Sequence, residues 1–327
     1  MYPFLHLLPD GSLFIFTDRS SQLFDVTTNH TIKVMPDLDG MHRTYPNTGG
    51  SVMLPLHKAS NYSAEIMICG GGHHQGLDSP CDASCGRITP LSSDPHWTYS
   101  TMPQPRVMVE AVLLLDGTVL WINGAQVGAQ GFGIADLPAV EALIYHPNAD
   151  KWEISGETKI ARLYHSVAVP LLDGTILIAG SNPNEMPVLE KDCNQTSQYT
   201  KFPTEFRTEI WTPPYLRGDK MNVRPRNIQL SDKVLHQKTV LQVEFALDKM
   251  PESVEIILYT GGFVTHSVHM GHVMVYLEEK DWASQGKNQY LVTALMPNDV
   301  KLAPGPYVVY LVADGVPGHG QFVSLQV

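Results

Sequence analysis

Two short segments of the chain carry side chains that could bind a transition metal. Tyr164 and His165 are adjacent in ARLYHSVA, and His266 lies in THSVHMGH together with His269 and His272. Two imidazoles and a phenolate oxygen form a donor set that suits Cu(II), which takes nitrogen and oxygen ligands in tetragonal geometry. Packing in the interior is the structural alternative for each of these residues. The sequence therefore predicts a copper site only if the fold brings the two segments together.

The spacing limits which of these residues can share a site. Successive strand residues point to opposite faces, so Tyr164 and His165 can serve one site only at the entrance of a strand. On a continuous strand, His266 and His272 share a face and His269 opposes them, so at most one or two of the three could join. A loop after YTGGFVTHS could carry His266 outward.

Repeated hairpins are expected to position these side chains. The stretches HLLPDGSLFIF (6–16), VLLLDGTVLWING (112–124) and VPLLDGTILIAGSN (169–182) share an apolar strand, an Asp-Gly turn and a second apolar strand. A fourth copy at 49–72 has a longer loop. A repeat of about 50 residues or more with small residues after each strand pair is typical of kelch-type propeller blades. About four blade-sized units are predicted in residues 1–220, as a small ring or a partial propeller.

Outer strands of the blades are predicted where apolar and polar residues alternate. Such segments are EALIYHP (141–147), followed by Lys151 and Trp152, and FRTEIWTPPYL (206–216). An arginine precedes the first strand in three of the four repeats, at Arg43, Arg106 and Arg162.

A second domain is predicted at 224–327, after a basic, turn-rich linker at 217–226. Six to eight short strands in about 100 residues, separated by turn signals, are typical of a β-sandwich. No segment keeps apolar residues at helical spacing beyond two turns. The expected fold class is therefore all-β.

Composition excludes several classes of partner. The 327 residues include 33 acidic and 22 basic side chains, for a net charge of −11, so no basic field favours a nucleic acid. The apolar runs are far shorter than the roughly 20 residues that span a bilayer. No nucleic-acid partner and no membrane insertion are expected.

Cysteines and glycosylation sequons point to an extracellular location. The C-x-x-x-C spacing of Cys81 and Cys85 suits a short disulfide, whereas Cys69 is either paired or a buried thiol. The N-terminal residues lack the features of a signal peptide and resemble a strand, which suggests that the true beginning is missing. Acceptor sequons begin at Asn29, Asn61 and Asn194.

These motifs together resemble one family. The succession MYPFLHLLPDGSLFIF, HRTYPNTGGSVMLPL, LYHSVAVPLLDGTILIAGSNPN, RPRNI, THSVHMGH and PGPYVVYLVADGVPG is similar to the glyoxal oxidase branch of the galactose-oxidase-like copper radical oxidases. The resemblance extends over essentially the whole chain. It implies a partial kelch-type β-propeller followed by an immunoglobulin-like (early-set) β-sandwich, whose loop reaches along the propeller axis with one copper ligand.

The resemblance also assigns roles to residues. Tyr164 would be the axial copper ligand and the base that accepts the substrate's O–H proton, His165 the adjacent ligand, and His266 the ligand from the sandwich. The implied reaction is oxidation of aldehydes or primary alcohols by O2, which gives H2O2. Arg106 stands where family members can place a substrate-contacting arginine, although a structural salt bridge is an equal alternative.

The resemblance implies that one part of the family's cofactor has no counterpart in this chain. The radical tyrosine cross-linked to a cysteine belongs to blades that precede the YPF strand, so the Cys-Tyr cofactor is expected to be missing and activity to be impaired. Tyr45, in Arg43-Thr-Tyr-Pro, echoes the radical motif but belongs to a later blade. An extracellular or cell-wall location is implied. The alternative function is a non-catalytic extracellular propeller and sandwich module that binds a ligand.

Overall fold

The first part of the chain folds into four antiparallel sheets. The computed structural model describes residues 2–194, 196–197, 201–298 and 300–326. The first sheet contains β1 (Phe4–Leu7), β2 (Leu13–Thr17), β3 (Ser20–Asp25) and β4 (His30–Val34). The second contains β5 (Gly50–Met53), β6 (Ile66–Cys69), β7 (Ser84–Ile88) and β8 (Thr98–Thr101).

The third sheet likewise has four strands, and the fourth has three. The third contains β9 (Glu110–Leu113), β10 (Val119–Ile122), β13 (Glu141–His146) and β14 (Lys151–Glu157), and a separate pair consists of β11 (Ala125–Gly128) and β12 (Ala135–Pro138). The fourth contains β15 (Ser166–Pro170), β16 (Ile176–Gly180) and β17 (Glu209–Trp211). Each predicted hairpin is present, so the repeats correspond to four propeller-type blades.

The Asp-Gly turns close three of the hairpins in the same way. In each turn the aspartate Oδ1 accepts hydrogen bonds from the backbone N–H and the hydroxyl of the residue two positions later. The glycine between them has a positive φ, which it adopts without a steric penalty. The turns consist of Asp10 to Ser12, Asp116 to Thr118, and Asp173 to Thr175.

The three repeated arginines have equivalent structural surroundings. Arg43, Arg106 and Arg162 are buried, and each donates a hydrogen bond to the carbonyl at the end of the second strand of its blade. Each also lies beside a carboxylate, with N···O distances of 3.1, 4.0 and 2.9 Å, from Asp82, Glu141 and Glu209 respectively. The repeat therefore includes a buried arginine beside a partly buried carboxylate as well as a hairpin.

The second part is a β-sandwich. One sheet has the order β18 (Arg226–Leu230), β20 (Val240–Ala246), β26 (Gln289–Leu295), β25 (Glu278–Gly286). The other has the order β19 (Val234–His236), β29 (Gln321–Gln326), β27 (Gly305–Ala313), β21 (Val254–Thr260), β24 (Val273–Tyr276), with β28 (Val316–Pro317) beside β27. A separate hairpin consists of β22 (Phe263–Thr265) and β23 (Val268–Met270).

The all-β fold of propeller blades followed by a sandwich is thus confirmed. The described residues after 224 form twelve strands rather than six to eight, because several strands have only two or three residues and leave no periodic pattern. The boundary predicted at 220–224 falls at a 3-10 turn. In the described ranges the helical segments are 3-10 turns at Lys58–Ser60, Glu190–Asp192, Pro214–Leu216 and Gly218–Val223. None of the described helices could cross a membrane.

The sandwich packs against the hairpin turns of the blades. The Tyr276 hydroxyl donates to the carbonyl of Leu115 at 3.3 Å, and the Tyr310 hydroxyl donates to that of Leu171 at 3.1 Å. The backbone N–H of Lys301 donates to the Pro9 carbonyl. A single hydrophobic cluster contains side chains of the first blade and of both sandwich sheets. The two parts therefore share a core.

The disulfide differs from the one expected from sequence. Cys85 is bonded to Cys69 rather than to Cys81. Cys69 and Cys85 lie directly opposite each other on β6 and β7, with their Cα atoms 4.1 Å apart. Cys81 is buried, with its Sγ 3.8 Å from the carbonyl oxygen of Gly128. Strand register, which short sequence spacing does not reveal, decided the pairing.

The predicted glycan acceptors lie on the surface. Asn29, Asn61 and Asn194 are all exposed. Gln195, the middle residue of the third sequon, lies outside the described residues.

Candidate metal centre

Tyr164 and His165 lie immediately before β15. This is the position that the spacing argument requires, because the pleated strand begins at Ser166. His165 has a φ of +63°, in the left-handed region, and its ring stacks on that of Tyr164 with centroids 3.8 Å apart. A non-glycine residue in this region is uncommon and often marks a functional site. The backbone bend lets two adjacent side chains face the same space.

His266 lies at the tip of the β22–β23 hairpin. His266 and Ser267 form the two-residue loop, and both have positive φ values, of 54° and 56°. Tight hairpin loops require this geometry, although glycine or asparagine usually provides it. Strand β23 contacts β1, β5 and β9, the first strands of three blades. The hairpin therefore extends from the sandwich along the inner strands of the propeller.

The fold brings the three predicted ligands together. The ring centroid of His266 is 5.8 Å from that of His165 and 6.0 Å from that of Tyr164. Tyr164 is buried, with 9% of its surface exposed, whereas His165 is exposed. His269 and His272 are buried and lie outside this group. The result is a cluster of two imidazoles and one phenol that a small solute can approach from the His165 side.

Hydrogen bonds orient both imidazoles. The Nδ1 atom of His165 lies 3.0 Å from the carbonyl oxygen of Asn182, which can only accept, so Nδ1 carries the proton and Nε2 keeps a lone pair. The Nδ1 atom of His266 lies 2.7 Å from the hydroxyl of Thr265. A hydrogen bond at one ring nitrogen that directs the other toward a metal is a recurrent feature of metal-binding histidines.

The donor set fits copper better than it fits the usual structural metals. Among the described residues, no group of three or more His, Cys, Asp or Glu side chains that could hold a metal ion is found. Here the third donor is instead the phenol oxygen of Tyr164. Copper(II) accepts such mixed nitrogen and oxygen ligation. The residues present therefore fit a copper ion bound by Tyr164, His165 and His266.

Burial changes the proton affinities of the cluster. Burial, with smaller contributions from the nearby Tyr45 and Tyr2 hydroxyls, raises the pKa of Tyr164 to about 12. Burial, with a smaller effect from His165, lowers the pKa of His266 below its ordinary value. His266 is therefore neutral at physiological pH, the form that binds metals, whereas Tyr164 needs a cation beside it to lose its proton.

Tyr2 was not identified by sequence reasoning. Its ring stacks on His266 with centroids 4.4 Å apart, and its hydroxyl lies 3.2 Å from Nε2 of that histidine. Tyr45 packs edge-on against Tyr2, with centroids 5.5 Å apart. Both tyrosines belong to motifs used for the resemblance, but only their long-range contacts place them at the site.

Gln130 was also missed. Its side-chain amide donates to the carbonyl oxygen of His266, and its own oxygen accepts from the hydroxyl of Thr48. It is fully buried, so it ties the tip of the hairpin to the second blade. An isolated glutamine in AQGFG has no sequence signal for this role.

Arg106 lies in the protein interior. It is fully buried, donates to the carbonyl oxygens of Asn123 and Glu141, and has a pKa lowered to about 10 by that burial. The Glu141 carboxylate at 4.0 Å supports the salt-bridge alternative. Contact with a substrate stays a prediction.

Comparisons with known proteins identify the family. The family model described as "Glyoxal oxidase N-terminus" matches residues 1–215, and "Galactose oxidase-like, Early set domain" matches residues 224–325. The chain belongs to the glyoxal oxidase family. The two matches together include the blades that hold Tyr164 and His165 and the sandwich that supplies His266.

Curated relatives of this glyoxal oxidase family member are longer than the chain. Aldehyde oxidase GLOX of Vitis pseudoreticulata is 37% identical over 99% of this chain and 62% of its own length. Aldehyde oxidase GLOX1 of Arabidopsis thaliana is 32% identical over 99% of this chain and 55% of its own length. The chain thus spans between about half and two thirds of the relatives it matches.

A solved structure supports the glyoxal oxidase-type fold. A fungal alcohol oxidase in complex with copper superimposes with a TM-score of 0.70, covering 100% of this chain and 76% of that one. At 18% sequence identity this similarity establishes the fold alone.

Proposed function

We propose that this chain binds one Cu(II) ion through Tyr164, His165 and His266 and contributes this centre to an oxidase. The substrates would be aldehydes or primary alcohols, and O2 would be reduced to H2O2. The observation that carries the proposal is the convergence of the three rings, two of them on left-handed backbone. The names of the relatives, aldehyde and alcohol oxidases, support the substrate class.

The three candidate ligands would have different roles in the reaction. Once a bound ion had displaced its proton, the Tyr164 oxygen would be the base that takes the hydroxyl proton of an alcohol or hydrated aldehyde. His165 would hold the ion through Nε2, which its hydrogen bond to Asn182 leaves free. His266 would use its own Nε2, which the Tyr2 hydroxyl contacts at 3.2 Å and would have to release. When bound, copper would orient the substrate oxygen and accept one of the two electrons that the oxidation releases, so a second redox group would have to accept the other.

The family's second redox group, the radical tyrosine cross-linked to a cysteine, is the subject of a separate proposal. Cys69 and Cys85 are joined in a disulfide, and burial raises the pKa of the Cys81 thiol to about 12, which disfavours its reactive thiolate. By resemblance none of Cys69, Cys81, Cys85 and Cys193 lies in the motif of the family's cross-linked cysteine, so we propose weak or absent turnover by residues 1–327 alone. A peroxide-coupled assay with methylglyoxal tests this, and robust turnover would overturn it.

Copper titration followed by EPR tests the metal site. We expect a tetragonal Cu(II) signal from the native chain that is lost in His165→Ala and retained in His30→Ala, which removes an exposed histidine of β4. A signal unchanged in His165→Ala would contradict the site. No tetragonal signal at all would favour the alternative, a non-catalytic extracellular binding module. Glycans at the exposed sequons would support the proposed extracellular location.

A further inference from the structure

A buried carboxylate lies between the two segments that carry the candidate ligands. Glu110, on β9, is 1% exposed, and His269, on β23, is 4% exposed. Neither belongs to the metal cluster. A buried glutamate is rare unless it is paired, because removing its charge from water is costly. Its partners therefore indicate what it does.

Each oxygen of Glu110 contacts one of the two strands that directly follow candidate ligands, β15 and β23, which we call the ligand-bearing strands. Oε2 accepts a hydrogen bond from the backbone N–H of Ala168 at 2.9 Å, three residues after His165. Oε1 lies 3.3 Å from Nδ1 of His269, three residues after His266. One carboxylate thus connects β15 to β23.

His269 extends the connection to the base of its hairpin. Its Nε2 lies 2.7 Å from the carbonyl oxygen of Gly261, which can only accept, so Nε2 carries a proton. Among the described residues, neither Nδ1 of His269 nor Oε1 of Glu110 has a hydrogen-bond partner, although the two atoms lie 3.3 Å apart. A proton shared between these two atoms would satisfy both.

We propose that Glu110 and His269 are positioning residues that set His266 relative to Tyr164 and His165. This inference rests on the proposed copper site. The hairpin tip has its own contact through Gln130, but Glu110 contacts both ligand-bearing strands, through a hydrogen bond from Ala168 and a 3.3 Å ion-pair contact with His269. Without the carboxylate, the two strands of the hairpin would stay paired, but the hairpin would lose its fixed position relative to β15.

The first test measures copper binding by the full chain. Glu110→Leu should weaken Cu(II) affinity by about 10- to 100-fold and change the EPR hyperfine splitting, as loss of outer-shell partners does in other metal sites. Glu110→Gln, whose amide can donate to His269 and whose oxygen can accept from Ala168, should stay within about threefold of the native chain. In a His266→Ala background, Glu110→Leu should have no further effect on affinity, since the ligand that it positions is absent. A native affinity in Glu110→Leu, or an undiminished loss in the His266→Ala background, would overturn the proposal.

The second test does not need copper, so it separates this inference from the proposed function. Amide hydrogen exchange across residues 263–270 of the metal-free protein should be at least tenfold faster in Glu110→Leu and near native in Glu110→Gln. Glu65→Leu is the control, because it removes a carboxylate that is paired with Arg87 in the second blade, whereas Glu110 belongs to the third. Unchanged exchange in Glu110→Leu, or equal acceleration by Glu65→Leu, would contradict the positioning role whether or not the chain binds copper.

Discussion

At the residue scale, the left-handed loop residues show that the candidate site is maintained against local preference. Non-glycine residues in this region cost roughly 1–2 kcal/mol each. Ser267 adopts a φ of +56°, and its hydroxyl gains only a long contact of 3.5 Å with the Leu163 carbonyl. The surrounding contacts of the hairpin must therefore compensate for the strain at its tip.

Replacing Ser267 with glycine should stabilise the protein. Ser267→Gly removes the Cβ that disfavours positive φ, so the free energy of unfolding should rise by about 1 kcal/mol. Urea unfolding measures the change. Ser267→Ala is the matched control, since it removes the hydroxyl but keeps the Cβ, and it should give no gain. Equal stability of the two variants would count against strain at this position.

A second residue, His6, should make stability depend on pH. Burial lowers its pKa to about 4 from 6.5, so between these values the unfolded chain binds a proton that the folded chain does not. Stability is therefore full above about pH 6.5 and falls as the pH drops, by up to about 3 kcal/mol near pH 4. His6→Asn, which keeps a polar partner for Ser51, should reduce this loss.

Urea unfolding at about pH 7 and about pH 5 tests the His6 prediction. The exposed His30 provides the comparison, since His30→Gln should leave the pH dependence as it is in the native chain. Should His6→Asn lose as much stability on acidification as the native protein, His6 is not the group responsible.

At the element scale, each blade combines a hairpin with a buried arginine. The arginine satisfies carbonyls at the strand ends, where a blade would otherwise leave buried acceptors without donors. Glu141 beside Arg106 and Glu209 beside Arg162 balance the charge. Repetition at equivalent positions indicates that the contact belongs to the architecture of the blade.

Removing one of these arginines should therefore reduce stability strongly. Arg106→Met leaves the buried carbonyls of Asn123 and Glu141 without this donor and removes the cation beside the Glu141 carboxylate, so we expect a loss of about 3–5 kcal/mol in urea unfolding. Arg207→Met, which breaks an ion pair whose guanidinium is 70% exposed, should cost at most about 1 kcal/mol. Near-native stability of Arg106→Met would contradict this structural role.

At the scale of the whole molecule, the blades and the sandwich form one structural unit. Leu56 of the second blade bridges to Val275 of the sandwich through backbone hydrogen bonds, and Phe4 and Phe16 of the first blade belong to the same hydrophobic cluster as Val275. The candidate site needs both parts, because its ligands come from each.

Thermal unfolding should accordingly occur in a single transition. Calorimetry should give a ratio of calorimetric to van't Hoff enthalpy of about 1 for residues 1–327. Leu56→Ala, which opens a cavity at the shared core, should lower the midpoint of that transition without dividing it, at a cost of about 2–5 kcal/mol. Two resolved transitions in the native chain would show that the parts are independent.

Local patterns in the sequence located the longer strands and the tight hairpins and offered the candidate ligands, whose roles the family resemblance then assigned. The Asp-Gly turns at Asp10, Asp116 and Asp173 specify tight hairpins through contacts within three residues, so they could be located without a structure. The adjacency of Tyr164 and His165 likewise indicated a strand entrance.

Contacts between distant residues could not be obtained in this way. Tyr2 meets His266 across most of the length of the chain, and the pairing of Cys69 with Cys85 depends on the register of two strands. Glu110 reaches both ligand-bearing strands only because three separate segments pack together.

The sequence by itself determined that the chain is all-β, is built of repeated hairpins and a sandwich, and carries two imidazoles and a phenol suited to copper. Hydrophobic alternation and turn residues act over a few positions, so these features can be read from neighbouring residues. Only the tertiary structure decided that the β22–β23 hairpin lies along the inner strands and brings the ring centroid of His266 to 6.0 Å from that of Tyr164. That placement depends on packing and hydrogen bonds between segments far apart in the chain, which no local pattern encodes.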